Sequence, residues 1–340
     1  MSTLRLVPTD PRPRHLLQRR LSTPRNATLV MPGRSRSAVC IVLTLAAILM
    51  LSADHPAGSA DSSPEAAATP VARIIAGPLT YARHRQLDVY AGPNPKRELP
   101  VIVMVHACCG DRADLGKLAE AIAADGAIVL NADWAGIKKD ARFPDAYADV
   151  ACAVRFARAR AADFGGDPAN VTLLGWADGA MASAVVAAAA GDQFDRSQCV
   201  YRGVSSVPDA LIGVAGFYGW TLPVPPVYVN DRAQAFLGGT PQEAPRAWHD
   251  ATPYGWLMSA FPSCVTLVVG VTDPLVESAR SYAAALRGAD HRVRLVVAPS
   301  KGDQSMISPR TREGRTTVRE ALSVGKPCRG AAATGSQPRR

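Results

Sequence analysis

Charge is scarce in this sequence, and that scarcity already excludes several classes of protein. Charged residues make up 20% of the 340 residues, whereas apolar residues make up 48%. A chain of this composition is neither intrinsically disordered nor a coiled coil, and it is long enough to bury one large core. We therefore predict a single globular domain over residues 73–325, flanked by terminal segments.

The basic residues that the sequence does have are concentrated at its two ends. The net charge is +9, but residues 1–36 contribute +7 and residues 301–340 contribute +6, so that residues 37–300 carry −4. The body of the chain therefore lacks the basic face that nucleic-acid binding requires. We predict no nucleic-acid partner, and we interpret residues 326–340 as a disordered basic tail.

Motifs for cofactors and metals are also missing. The sequence contains no phosphate-binding nucleotide loop, no dinucleotide-binding fingerprint and no haem motif. Its cysteines and histidines do not occur at zinc-ligand spacing, so we predict neither a cofactor nor a metal.

The cysteines are better suited to disulfides than to metal binding. Seven are present, and Cys40 lies in an apolar N-terminal segment described below. The remaining six are Cys108, Cys109, Cys152, Cys199, Cys264 and Cys328. An even number favours disulfide formation in an oxidising compartment, but the sequence does not decide the pairing.

No apolar run reaches the roughly 20 residues that span a bilayer as a helix. The apolar stretch at residues 38–53, AVCIVLTLAAILMLSA, follows Arg34 and Arg36 and precedes small residues at 58–60. Positive charge, apolar core and small residues in this order are typical of a secretory signal.

The N-terminal pattern predicts a leader and signal over residues 1–60 and a linker over residues 61–72. A true start at Met31 would give the signal ordinary proportions. We predict a secreted or cell-envelope protein. The alternative is an uncleaved membrane anchor at residues 38–53, which would be the only part to meet a membrane.

What the chain has instead is a strand-turn-helix motif whose reactive residue is missing. Residues 175–179 read Gly-Trp-Ala-Asp-Gly, the form of a G-x-S-x-G nucleophile elbow with Ala177 in place of serine. A short apolar run precedes it and small apolar residues follow it, as a buried strand and a closely packed helix require. An alanine methyl group cannot attack a carbonyl. The motif therefore predicts a hydrolase scaffold without its usual chemistry.

Strands and helices alternate along the rest of the domain. We predict strands over residues 73–81, 86–90, 100–106, 127–133, 171–174, 211–217, 264–271 and 292–298. We predict helices over residues 113–124, 146–162, 180–190, 277–287 and 311–323. Regular alternation indicates a mostly parallel sheet with helices on both faces, and sites in such sheets lie beyond the carboxyl ends of the strands.

Several segments carry a family pattern in a fixed order. Residues 87–110 end in VIVMVHACCG, residues 143–179 contain a GGDP connection before the elbow, and residues 271–286 begin VTDP. Together with FLGGTPQEAPRAWHDATPY at 236–254, they resemble the esterase, feruloyl-esterase-like and arylformamidase-like branch of the α/β-hydrolase superfamily. The resemblance implies an α/β-hydrolase fold with a Ser-Asp-His triad.

The chain departs from that triad at two of its three positions. The acid position matches Asp273, whereas Ala177 stands at the nucleophile position and Gln304 at the base position, with a slip of one residue open in this last segment. The single histidine after Asp273, His291, precedes the final strand. Removing the serine or the histidine of a triad costs on the order of 10⁶ in kcat.

The oxyanion loop that the resemblance implies is altered as well. His106 is retained, and we expect it to hold the loop by hydrogen bonds, but Ala107 and Cys108 replace two glycines. Asp178 is expected to offer its backbone N–H to the oxyanion hole. Two unconventional nucleophiles remain open, the thiol of Cys108 and the carboxylate of Asp178.

Three functional hypotheses follow. The first is a pseudo-hydrolase, inactive or nearly so, that binds a small acyl or ester-like ligand or a partner in a pocket between these residues and a proline-rich loop at 222–226. The second is an active carboxylic-ester hydrolase with an unconventional nucleophile. The third is a structural envelope protein without a ligand.

Overall fold

The computed structural model describes most of the predicted domain. It covers residues 72–323 except 94–97, 139, 190–191, 195–198, 221–230, 260, 263 and 300–301. These residues belong to one structural unit, Ala66–Arg340. The predicted leader and signal, the alternative anchor, nearly all of the linker, the basic tail and the loop at 222–226 lie outside the described residues.

One eight-stranded sheet organises the described chain. Its strands are β1 (Arg73–Ala82), β2 (Arg85–Ala91), β3 (Leu99–Val105), β4 (Ile128–Ala132), β5 (Gly166–Trp176), β6 (Ala210–Val214), β7 (Cys264–Gly270) and β8 (Val293–Ala298). They lie in the order β1-β2-β4-β3-β5-β6-β7-β8. The β1–β2 and β2–β4 pairs are antiparallel and the other five pairs are parallel. This confirms the mostly parallel sheet.

Helices connect the strands in the expected places. They are α1 (Gly116–Ala124), α2 (Asp145–Arg160), α3 (Asp178–Ala188), α4 (Asp231–Leu237), α5 (Pro245–Asp250), α6 (Val276–Gly288), α7 (Asp303–Ile307) and α8 (Arg312–Ser323). The sequence missed α4, α5 and α7, because helices this short have no long amphipathic repeat to reveal them. No helix in the described part of the chain is long and apolar enough to cross a membrane.

Both faces of the sheet are covered, as predicted. Successive side chains of β3 point to opposite faces. Val103 packs in one core with Val185 of α3, and its neighbour Ile102 packs in a second core with Ile122 of α1 and Val318 of α8. The central strands β3, β4, β6 and β7 are almost entirely apolar because both of their faces are covered, whereas the edge strands β1 and β8 are partly exposed.

The expectation of disulfides is confirmed at one described pair. Cys152 of α2 is bonded to Cys199, with a Cα–Cα distance of 5.6 Å, and Cys264 is also disulfide-bonded. By contrast, Cys108 and Cys109 carry free thiols in the loop after β3.

Helix α3 approaches β3 so closely that its first turn requires glycine. A Cβ atom at Gly179 would lie 2.4 Å from the carbonyl oxygen of His106 and 2.7 Å from that of Val105. A Cβ atom at Gly175 would lie 2.2 Å from the carbonyl oxygen of Gly179. The two glycines of the elbow therefore allow the helix to pack directly on the strand backbone.

We expect Gly179→Ala to lower the free energy of unfolding by about 2 kcal/mol or more, because the new methyl group meets backbone that can move only with β3. Urea denaturation of the purified protein measures this change. Gly288→Ala is the matched control, since no atom lies within 4 Å of a Cβ placed there. Equal effects of the two substitutions would contradict the close-approach argument.

Candidate functional site

The turn between β5 and α3 has the backbone of a nucleophile elbow. Ala177 sits at its apex with φ 52° and ψ −117°, a conformation that residues other than glycine rarely adopt. The Ala177 N–H donates to the Val214 carbonyl at 3.0 Å, and the Ala177 carbonyl accepts from the Ala180 N–H at 3.0 Å. The elbow geometry is therefore complete, while the group that it presents is a methyl.

His106 anchors the loop that follows β3. Its ring is fully buried, with Nδ1 2.7 Å from the carbonyl oxygen of Ala107. Its Nε2 accepts the backbone N–H of Trp134 at 3.4 Å, and the Trp134 indole N–H donates to the His106 carbonyl at 3.0 Å. Burial lowers the pKa of His106, which keeps the imidazole neutral. These bonds tie His106 to Ala107 and Trp134, and its loop-holding role stays a prediction.

The loop brings Cys108 against Asp178, the residue after the elbow apex. The Cys108 N–H donates to Oδ2 of Asp178 at 3.3 Å. The Asp178 carboxyl also interacts with the Cys108 thiol and with its own backbone N–H. In a nucleophile elbow, the N–H of the residue after the apex and an N–H of the loop after β3 bind the oxyanion. The predicted role of the Asp178 N–H in that hole stays a prediction, and the sequence did not foresee that the Asp178 side chain would accept the Cys108 N–H.

The electrostatics of Asp178 combine opposing effects. Desolvation raises its pKa, while the hydrogen bonds from Cys108 and from its own N–H and the charge of Arg232 lower it only in part. The carboxyl is therefore a stronger base than an ordinary aspartate. Its proximity, together with desolvation, raises the pKa of the Cys108 thiol, with desolvation the larger cause.

Asp273, the residue predicted to stand at the acid position, lies just beyond the end of β7. Its side chain is 3% exposed, and Oδ1 accepts the Leu275 N–H at 2.8 Å. Oδ2 is buried and has no hydrogen-bond partner. In an intact triad that oxygen would accept an imidazole N–H. Burial raises the pKa of Asp273, and the nearby charge of Asp303 raises it further.

The predicted base position falls in the short helix α7. Gln304 is exposed there, and its N–H donates to Oδ1 of Asp303 at 2.8 Å. Asp303, one residue earlier, is the member of this segment whose charge acts on Asp273. His291 lies elsewhere, with Nε2 2.6 Å from the Leu257 carbonyl oxygen. The assignment of the base position to Gln304 stays a prediction, and Asp303 is the alternative one residue away.

Three cavities of the described structure lie away from the elbow. One, of about 570 Å³, is lined by residues of α1 and α8 such as Ala121 and Val318. The second lies beside Arg85 and Asp149, and the third beside Cys264 and Arg294. Within the described ranges, no group of three His, Cys, Asp or Glu side chains is placed to hold a metal ion.

Comparison with known proteins identifies sequence relatives that are esterases. A family model described as BD-FAE matches residues 87–286. Esterase LipC of Mycobacterium tuberculosis is 27% identical over 251 residues, which are 71% of this chain and 62% of LipC. Esterase LipQ of the same organism is 27% identical over 220 residues, or 61% of this chain and 51% of LipQ. The chain thus spans less than two thirds of each relative.

Solved structures share the fold at lower identity. A truncated carbohydrate esterase from gut microbiota has a TM-score of 0.63 at 17% identity, covering 75% of this chain and 96% of that one. A propionate-bound esterase of Thermogutta terrifontis has a TM-score of 0.59 at 19% identity, covering 75% and 93%. These likenesses, with the strand order above, establish the α/β-hydrolase fold.

We expect Asp273→Asn to gain stability relative to the wild type as the pH rises from about 4 to neutrality. A carboxyl whose pKa is raised in the folded state keeps its proton to a higher pH there than in the unfolded chain. Between the two pKa values the unfolded chain has already lost the proton, so the wild type loses stability as the pH rises through that window. The amide does not titrate. Urea denaturation at several pH values measures the difference.

Asp303→Asn serves as the companion variant. It removes the neighbouring charge but leaves the buried acid, so its pH-dependent gain should have the same sign and be smaller. A difference between Asp273→Asn and the wild type that is constant from pH 4 to pH 7 would show that Asp273 has no raised pKa.

Proposed function

The chain belongs to the BD-FAE family of esterase-like α/β-hydrolases, and we propose that it is an exported pseudo-hydrolase that binds a small, neutral acyl or ester-like ligand. On this proposal the fold and pocket position of an esterase are kept, and turnover is absent or residual. The export part of the proposal rests on the N-terminal pattern described above.

The observation that carries the proposal is the Asp178 carboxyl on the Cys108 N–H, next to the alanine at the elbow apex. Hydrolysis of an ester needs a nucleophile and free donors for the developing oxyanion. Here Ala177 supplies no nucleophile, and the Asp178 carboxyl accepts the Cys108 N–H, one of the two donors that the family pattern implies. An acid in that place repels a developing oxyanion. The two changes therefore oppose both requirements.

The acids Asp178 and Asp273 indicate which ligands the proposed site at the elbow favours. Carboxylic acids, the products of ester hydrolysis, bring a negative charge toward Asp178 and toward the unpaired Oδ2 of Asp273. Neutral esters and amides of the same acyl group bring none. Cocrystals of the Thermogutta terrifontis esterase contain propionate or butyrate, so short acyl chains are suitable probes.

The alternative of a Cys108 nucleophile receives less support. A thiol attacks as its thiolate, and burial beside Asp178 raises the pKa of Cys108, which disfavours that form. Asp178 is itself held by hydrogen bonds to the loop and so is not presented to a substrate as a nucleophile.

The first test is ester hydrolysis. We expect the purified native chain not to hydrolyse p-nitrophenyl acetate or butyrate above background. Ala177→Ser with Gln304→His, and Ala177→Ser with Asp303→His, should distinguish the two base positions, because only a correctly placed imidazole can meet Asp273. Adding Asp178→Ala to the better pair should raise kcat by on the order of 10²-fold, since it frees the Cys108 N–H to bind an oxyanion.

If the native chain hydrolyses these esters, single substitutions identify the nucleophile. Activity that disappears in Cys108→Ala would overturn the pseudo-hydrolase proposal in favour of a thiol nucleophile. Activity that survives Cys108→Ala and disappears in Asp178→Asn would overturn it in favour of a carboxylate nucleophile.

The second test is ligand preference. At pH 8 we expect the native chain to bind butyramide more tightly than butyrate, because Asp178 repels the anion. Asp178→Ala should strengthen butyrate binding by about tenfold, or about 1.4 kcal/mol. Isothermal titration calorimetry measures both affinities, with thermal shift as a second readout.

Asp178→Asn is the matched control because it removes the charge and keeps the size of the side chain. If butyrate binds the native chain as tightly as butyramide, the charge argument is wrong. If none of the acyl probes binds either form, the structural envelope hypothesis replaces the binding proposal.

A further inference from the structure

Two adjacent thiols lie in the loop after β3, next to the nucleophile-elbow turn. Cys108 and Cys109 occupy the turn in which the Gly110 N–H donates to the Ala107 carbonyl at 3.3 Å. Their Sγ atoms are 2.6 Å apart. Cys108 is half-buried and Cys109 is exposed. The turn therefore holds two sulfur atoms in contact, one inside the site and one facing solvent.

Groups of opposite charge lie beside the two thiols. An Nη1 atom of Arg232 lies 2.8 Å from Sγ of Cys109. On the other side, the Asp178 carboxyl interacts with the thiol of Cys108 as well as with its N–H. The Arg232 guanidinium thus lies beside the exposed sulfur of Cys109, and the Asp178 carboxyl lies beside the half-buried sulfur of Cys108.

We propose that Cys108 and Cys109 form a reversible dithiol–disulfide redox pair that reacts with low-molecular-weight disulfides. This inference goes beyond the proposed function and holds whether or not the chain binds an acyl ligand.

The geometry assigns the first step to Cys109. Thiol–disulfide exchange begins with attack by a thiolate that can reach the incoming disulfide. Cys109 is the exposed thiol of the pair, and the Arg232 guanidinium beside it can bind the R–S⁻ that leaves. The Cys109 thiolate bonds to one sulfur of the reagent R–S–S–R and expels R–S⁻, which takes up a proton. The product is a mixed disulfide on Cys109.

The second step closes the pair. The Cys108 sulfur, held 2.6 Å from Sγ of Cys109, attacks that sulfur as its proton passes to the Asp178 carboxylate, and the second R–S⁻ leaves and takes that proton up, so no free Cys108 thiolate has to form beforehand. The two cysteines lose two electrons and two protons, and R–S–S–R becomes two R–SH. Asp178 is placed for this transfer because it already contacts the thiol.

Covalent geometry makes such a bridge easy to reverse. Neighbouring Cα atoms are about 3.8 Å apart across a trans peptide, whereas disulfides usually join Cα atoms roughly 4.4–6.8 Å apart. A bond between adjacent cysteines is therefore strained, and strained or exposed disulfides are the labile ones. Cys152 and Cys199, with Cα atoms 5.6 Å apart, have the separation of an ordinary structural bridge.

The test follows both thiols in one peptide. The tryptic peptide of residues 98–112 contains Cys108 and Cys109 and no other cysteine. The full chain is equilibrated in glutathione buffers of increasing oxidation, quenched with acid, alkylated with N-ethylmaleimide and analysed by mass spectrometry. We expect oxidising buffers to yield an unalkylated peptide lighter by two hydrogen atoms, and dithiothreitol to restore double alkylation.

Single substitutions separate the two steps. Cys108→Ser should stop at glutathione on Cys109, whereas Cys109→Ser should leave Cys108 largely unmodified. Asp178→Asn should slow closure of the mixed disulfide by about tenfold or more without slowing its formation, and Arg232→Gln should slow its formation.

Two results would overturn the proposal. One is a wild-type peptide that stays doubly alkylated in fully oxidised glutathione. The other is a wild-type peptide that ends with one glutathione and one maleimide, which would show two independent thiols.

Discussion

The contact between the first turn of α3 and the end of β3 governs the whole site. Gly179 lies directly under the carbonyl oxygens of Val105 and His106, so the helix and the strand are held at backbone distance. That contact sets the position of the loop after β3 relative to the elbow apex, Ala177. Because no side chain fits into this contact, the backbone geometry of the elbow is kept although Ala177 stands at its apex.

A single carboxyl at that contact accounts for most of what is unusual here. The Asp178 carboxyl accepts the N–H of Cys108 and interacts with the Cys108 thiol. On the proposals above, the first interaction opposes ester hydrolysis and the second places a base beside a sulfur nucleophile. Both proposals therefore depend on the same side chain, whose pKa desolvation raises.

Asp273 is a second buried acid, and hydrogen bonds satisfy only one of its two oxygens. Its Oδ1 is satisfied by the backbone of the following turn, whereas its Oδ2 is buried and unpaired. A buried acceptor without a partner costs stability and normally requires an explanation. Asp273 stands where the sequence resemblance predicts the triad acid, and no imidazole within the described residues pairs with this oxygen.

The sequence by itself determined the order of strands and helices, the two covered faces of the sheet and the elbow with its missing nucleophile. Local patterns suffice for these features, because alternation, apolar runs and the spacing of Gly175 and Gly179 constrain only neighbouring residues. It also located His106, Ala177 and Asp273 at one edge of the sheet. Only the tertiary structure placed the Asp178 carboxyl on Cys108, Arg232 on Cys109 and Asp303 near Asp273. These contacts join residues far apart in the chain, and their direction depends on side-chain rotamers that no sequence pattern encodes.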